Sequence, residues 1–316
     1  MSKKPDAGVI AALSSAFFLG LSPIFGKMAI LQGYSPLLTV SLRTGLAALA
    51  MLVIFLIFYR AYFYIFPVGL VGCAIAGILN GFGSILYYLA LGRLDVTIGQ
   101  LLYSLYPFFV AIWLILDHQP PSKLTVVRTG LAFVAVILLT RIPHSFQDPV
   151  GVMMMIGAAI LYALHLPINQ RVLYEVPSPT VTLYTLVFMS LVVMPAYFLF
   201  DRELPSSDVS WIPIILLTSV TFFSRLLLFL GVKKIGGMQT ALFGLLELFI
   251  TILFGYLWLR ESLTFIQWIG AFILSFSLLM IYFEKPGIYI AANIKTGWLA
   301  WLRAPELPKG IFRPYE

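Results

Sequence analysis

Glu247 stands near the middle of TALFGLLELFITILFGYLW, residues 240–258, a run otherwise without charge. It is about ten residues, roughly 15 Å of helix, from either end, too far for a glutamate side chain to reach water at a membrane edge. A charged group at that depth in hydrocarbon costs about 3 kcal/mol, so it must be protonated, paired or wetted by a cavity. Two roles fit. The carboxyl group can load and release a proton as a cavity faces alternate sides, or it can act as a permanently paired or protonated structural acid that keeps its helix in register. Arg225, in TSVTFFSRLLLFLG, is the basic residue set well inside an apolar run. Three roles are open to it: pairing with Glu247, clamping a carboxylate or phosphate, or reaching the headgroups at its nearer end.

Neutral polar residues recur at helical spacing. Asn80, Ser84 and Tyr87 share one face, with Gly77, Gly81 and Gly83 opening the packing beside them, and Ala158, Tyr162, His165 and Asn169 share another. Gln100 and Tyr103 stand on a third segment and Glu247 on a fourth. Any single member is explained by a hydrogen bond between neighbouring helices. Their convergence nominates Asn80, Tyr87, Gln100, Tyr103, Tyr162, His165 and Arg225 as the lining of a binding cavity, with Glu247 as the proton-coupling candidate. Tyrosine faces stack on flat apolar groups and carry a hydroxyl, which suits an amphipathic or aromatic solute. His118, His144 and His165 lack metal-ligand spacing, and Cys73, the single cysteine, lies in an apolar stretch as a small packing residue. No metal, cofactor or catalytic residue is expected.

These residues must be positioned by membrane-spanning helices. The 316 residues are 61% hydrophobic and 10% charged, with a mean hydropathy of +0.99, more apolar surface than a soluble core can bury. Stretches of about 20 apolar residues cross the bilayer as helices. Ten are present, near 8–30, 36–58, 67–91, 97–116, 123–140, 150–170, 178–200, 211–231, 237–259 and 263–283. Lys3 and Lys4 precede the first as in a secretion signal, but no small-x-small cleavage site stands out and nine spans follow, so it is read as retained. The net charge of +7 sorts by membrane side, which argues against nucleic acid as a partner. Lys3, Lys4, Arg60, Lys123, Arg128, Arg171, Lys233, Lys234 and five tail residues share one face; Lys27, Arg43, Arg93, Arg141, Arg202 and Arg260 share the other. Both termini are therefore expected in the cytoplasm of a multi-pass protein of the inner (plasma) membrane. In the tail, residues 285–316, Ile290, Ile294, Trp298 and Leu302 fall at helical spacing, as in an amphipathic helix on the membrane surface.

Shifting the chain by 140 residues superimposes Leu102, Leu105, Phe109 and Ile112 on Leu242, Leu245, Phe249 and Ile252. The small-and-polar face Thr240, Gly244, Glu247, Thr251 falls on Gln100, Ser104, Pro107, Ala111. A shift of 144 aligns Pro23 with Pro167 and Lys27 with Arg171. Two five-span halves follow, 8–143 and 149–284, and since five is odd the second lies upside down relative to the first. The expected fold is all-α and integral to the membrane: ten helices in two inverted repeats around a shared midplane site.

Gly20 followed seven later by Lys27, Arg43 in the second span, ALGRLDVTIGQLLYSLYP leading to Pro107, and GLLELFITILFGYLWLRES with Glu247 and Glu261 resemble the drug/metabolite transporter superfamily, EamA type. The likeness covers both halves and omits the tail. It implies ten helices in two inverted repeats and export of amino acids, other metabolites or drugs. Two positions depart from the family pattern: Leu248 stands where a proline often follows the glutamate, and Pro121 replaces a glutamate at the end of the fourth span.

The expected function is alternating-access movement of a small organic solute, with protons as a further partner if Glu247 titrates; the sequence leaves oligomeric state open. A rival is an integral-membrane enzyme acting on a lipid or small apolar substrate. HSFQD, residues 144–148, offers one His and one Asp without the clustered acids such chemistry needs. A receptor or scaffold lacks a soluble domain or long loop to bind with. No G-x-x-x-x-G-K-[ST] loop provides for ATP coupling.

Overall fold

The computed structural model describes residues 7–117, 122–139, 148–202, 205, 209–259, 264–280 and 298–302. The described residues contain helices and no strand: α1 (Ala7–Leu31), α2 (Pro36–Phe58), α3 (Pro67–Arg93), α4 (Val96–Tyr103), α5 (Tyr106–Leu116), α6 (Lys123–Leu139), α7 (Pro149–Leu173), α8 (Ser178–Phe200), α9 (Ile212–Ile235), α10 (Gly237–Gly244), α11 (Leu246–Leu259) and α12 (Phe265–Leu279). Eight segments are long and apolar enough to cross a membrane, counting α4 with α5 and α10 with α11 as one each. At 17 and 15 residues, α6 and α12 are shorter. Among the described residues the chain is thus helical, with the apolar spans of a multi-pass membrane protein.

Local chemistry sets several boundaries. Proline occupies the first turn of α2, α3, α5, α7, α8 and α9, where its missing N–H leaves no bond unmade. The Ser35 hydroxyl accepts from Leu38 N, and Asp148 accepts from Val150 N, capping α2 and α7. Arg93, 2.8 Å from Asp148, holds that carboxyl below the usual carboxylate range. Gly236, at φ +85°, lets the chain leave α9 and enter α10 directly.

The spans expected at 97–116 and 237–259 are each discontinuous. At the first break Leu105 N donates to Leu102 O and Phe108 N to Leu105 O; at the second Leu245 N donates to Leu242 O and Leu248 N to Leu245 O. Both are tightened turns with i→i−3 bonds, and they lie 140 residues apart. Pro107 explains the first, since its ring clashes with the carbonyl one turn back. The second breaks without a proline after Glu247. There Leu245 N has turned to Leu242 O, and the Ala241 carbonyl accepts instead from the Tyr106 hydroxyl at 3.0 Å. Gly244 makes room for that hydroxyl, because a Cβ at this position would overlap it.

The main helix contacts cross between the two halves of the chain. α1 packs on α9 and α11, α3 on α7 and α8, α2 on α8 and α9, α5 on α7, and α6 on α12. Small residues set these approaches: a Cβ at Gly20 would lie 2.8 Å from Glu247 O, and one at Gly77 would lie 2.8 Å from Thr185 O. Large apolar side chains such as Leu49, Leu56 and Phe272 face outward, as expected of a surface that meets lipid.

Three arginines counted above by membrane side lie inside the protein: Arg43, Arg128 and Arg171 are at most 5% exposed. Arg171 donates through Nε and Nη2 to Asp117 Oδ2 at 3.0 and 2.7 Å, and Asp117 Oδ1 accepts from Leu299 N at 3.0 Å. Residues 298–302 form a turn at this buried pair, with Leu299 and Leu302 packed against Ala76 and Ile168. Trp298 and Leu302 thus contact the helices directly, while Ile290 and Ile294 lie outside the described residues, as do Pro121, Glu261, His118 and His144.

Candidate functional site

A cavity opens where α1, α2, α3, α4, α7, α9 and α11 meet. Each helix except α11 brings a side chain from its interior. Asn80 and Tyr162 lie near the middle of α3 and α7, Arg225 near the middle of α9, and Glu247 in the first turn of α11 just past the break. The space open to a water centre is about 40 Å³, room for about three waters at ~10–15 Å³ each.

Of the residues nominated from sequence, Asn80, Tyr87, Gln100, Tyr103, Tyr162, Arg225 and Glu247 line this cavity. His165 sits behind the wall, fully buried, its ring 4.6 Å from that of Tyr162 and its Nδ1 bonded to the Tyr162 carbonyl. Leu19, Ser22, Arg43 and Tyr88 also line the cavity and Tyr106 adjoins it, none of them among the residues that the sequence nominates as its lining. Arg43 was counted among surface charges, although it lies eight residues into α2, and that depth was the available signal. Tyr88 is adjacent to the nominated Tyr87 on α3. Tyr106 reaches Glu247 only through the Gly244 contact, which a sequence pattern does not display.

The polar groups form two sets. In the first, Glu247, 3% exposed, accepts from Gln100 Nε2 at 3.5 Å, the Tyr106 hydroxyl, whose one proton points between the Ala241 carbonyl and this carboxyl, lies 3.5 Å from Glu247 Oε1, and Tyr87 donates to Gln100 Oε1 at 3.1 Å. In the second, Arg43 donates to Ser84 Oγ at 3.2 Å and Thr221 Oγ1 at 3.5 Å, and its guanidinium lies 4.7 Å from the centre of the Tyr88 ring. Arg225 lies 5.7 Å from the centre of the Tyr162 ring, and the Asn80 amide, turned to present its oxygen, accepts from both Nη atoms at 3.2 Å. Arg225 therefore points inward, not toward headgroups. The ion pairs between described residues are Arg93–Asp148 and Arg171–Asp117, so Glu247 and Arg225 share the cavity without direct pairing.

Between the two sets the rings of Tyr87, Tyr103, Tyr106 and Tyr162 form a continuous aromatic wall, with neighbouring centroids 4.9–5.6 Å apart. The chamber sets a flat apolar surface beside hydrogen-bonding groups, the chemistry that meets an amphipathic solute, but closed as it is it holds only a few waters. Among the described residues no group of three or more His, Cys, Asp or Glu could hold a metal ion.

The profile of the EamA-like transporter family matches residues 6–141 and 149–283. An uncharacterized transporter of Synechocystis sp. is 26% identical over 228 residues, 68% of this chain and 66% of its own length, just short of two thirds of that relative. Among solved structures, the crystal structure of one protein superimposes with a TM-score of 0.62 at 15% identity, covering 85% of this chain and 97% of the other, a likeness of fold. With the profile covering both halves and the relative named a transporter, this chain belongs to the EamA-like transporter family.

Proposed function

We propose that this membrane protein moves a small organic solute, such as an amino acid, other metabolite or drug, out of the cell by alternating access around the cavity at Glu247. The observation that carries this reading is the position of the cavity: it adjoins the break between α10 and α11 and takes side chains from the interior of helices of both halves. Discontinuous helices around a central polar site are a recurrent transporter plan. The site residues are Asn80, Tyr87, Gln100, Tyr103, Tyr162 and Arg225, with His165 supporting Tyr162 from behind.

The halves 8–143 and 149–284 act as two inverted five-helix repeats, α6 and α12 completing a set of ten spans. The contact pattern supports this exchange: α1 packs on α9 as α7 packs on α3, and α1 on α11 as α7 on α5. Both termini face the cytoplasm. Glu247 carries a proton inward as solute leaves, since its carboxyl has only two long hydrogen bonds and no ion pair to fix its charge.

Solute flux in proteoliposomes, with and without an imposed pH gradient, tests this. Glu247→Gln is expected to abolish the component driven by the gradient while leaving exchange between equal pH compartments. Undiminished gradient-driven flux in Glu247→Gln removes the proton-carrier role.

A further inference from the structure

Resting on the transport reading, we propose that the cavity selects a small organic anion, a carboxylate without an ammonium group, carried on an aromatic or similarly flat apolar body.

The charges facing the cavity are two guanidiniums, Arg43 and Arg225, and one carboxyl group, Glu247. Guanidinium stays protonated in proteins, so the walls carry an excess of one positive charge even with Glu247 ionised. Neither arginine meets a carboxylate: their described partners are neutral oxygens of Ser84, Thr221 and Asn80. Both Nε atoms are buried and have no hydrogen-bond partner. Unsatisfied donors on a buried cation are expensive in a low-dielectric interior, and an oxyanion entering the cavity is the acceptor that would satisfy them.

The spacing fits one acidic group. Arg225 is anchored on Asn80 and Arg43 on Ser84, four residues on along α3, so the anchors differ by one turn, about 6 Å of rise. A carboxylate between them would take a donor from each side, and since the closed cavity has room for little more than that group, the tyrosine wall must part to receive the rest of the molecule. Charge then decides between solutes of the same shape. A monoanion brings the occupied cavity to neutrality, a zwitterion leaves it at one positive charge, and an amine raises it to two.

Phenylpyruvate, phenylalanine and phenethylamine share an aromatic body and carry one negative charge, no net charge and one positive charge respectively. Binding of each is measured by quenching of intrinsic fluorescence of the purified full chain, and flux by counterflow in phosphatidylcholine proteoliposomes. Phenylpyruvate is expected to bind and move in preference to the other two. Arg225→Gln and Arg43→Gln are each expected to weaken its binding roughly tenfold to a hundredfold, the worth of one charge-assisted contact. Arg225→Gln is also expected to shift preference toward phenylalanine, because the cavity walls are then neutral overall. That shift is a ratio measured within one variant, so partial loss of folded protein does not imitate it. Phenylpyruvate that binds saturably without being carried leaves the anion assignment standing and removes the transport reading. Carriage of phenylalanine or phenethylamine in preference to phenylpyruvate leaves transport standing and overturns the assignment. Absence of saturable phenylpyruvate binding to the wild-type chain also overturns it.

Discussion

Asp117 and Arg171 show how residue-scale chemistry escapes a sequence reading. Both lie near helix ends, where a charge is ordinarily solvated, so the sequence alone places Arg171 on a membrane face and gives Asp117 no role. Their burial at 0% and 2% exposure, and the bond from Leu299 N to the same carboxylate, depend on chain segments 54 and 182 residues apart. Breaking such a pair leaves an uncompensated charge inside, at a cost of about 3–5 kcal/mol. Asp117→Asn and Arg171→Met are each expected to lower the unfolding temperature in detergent markedly. The double variant Asp117→Leu/Arg171→Met should lose much less than the sum, because no lone charge remains. Glu247 and Arg225, by contrast, were legible because each interrupts a long apolar run. Arg43 has the same character, yet the tally of charges by side absorbed it.

At the scale of elements, eight of the ten apolar stretches coincide with described helices long and apolar enough to cross a membrane, counting α4 with α5 and α10 with α11 as one each. The shift had placed Leu105 on Leu245, and these are the positions where the chain breaks. What the pattern could not supply was the cause of the second break, which rests on the Tyr106 hydroxyl entering beside Gly244. The glycines also divide into those under contact and those in open space. A Cβ at Gly20 would come within 2.8 Å of the Glu247 carbonyl oxygen, which is backbone and cannot swing aside, whereas one at Gly130 meets nothing within 4 Å. Gly20→Val is therefore expected to push α1 from α11 and abolish flux. Gly130→Ala should leave flux unchanged and raise stability by up to ~1 kcal/mol through helix propensity alone. Flux assays paired with thermal unfolding of both variants check this.

For the whole molecule, division into two halves describes the sequence better than the packing. The principal contacts, α1 with α9, α3 with α7 and α6 with α12, all join one half to the other. Neither half has most of its own small-residue faces covered without its partner. Expressed alone, residues 1–146 or 147–316 should be degraded or aggregate, while co-expression of the two pieces restores a monodisperse particle and flux; size-exclusion chromatography reads both outcomes. The α6–α12 pair adds a matter of timing. Arg128 bonds to the carbonyl of Ser277 and to Gln239, 149 and 111 residues further along the chain. At ~5–20 residues per second, a ribosome needs roughly 7–30 s to make the longer stretch. During that interval Arg128 lacks these two acceptors, so α6 reaches its final packing only after its late-made neighbour has been synthesised.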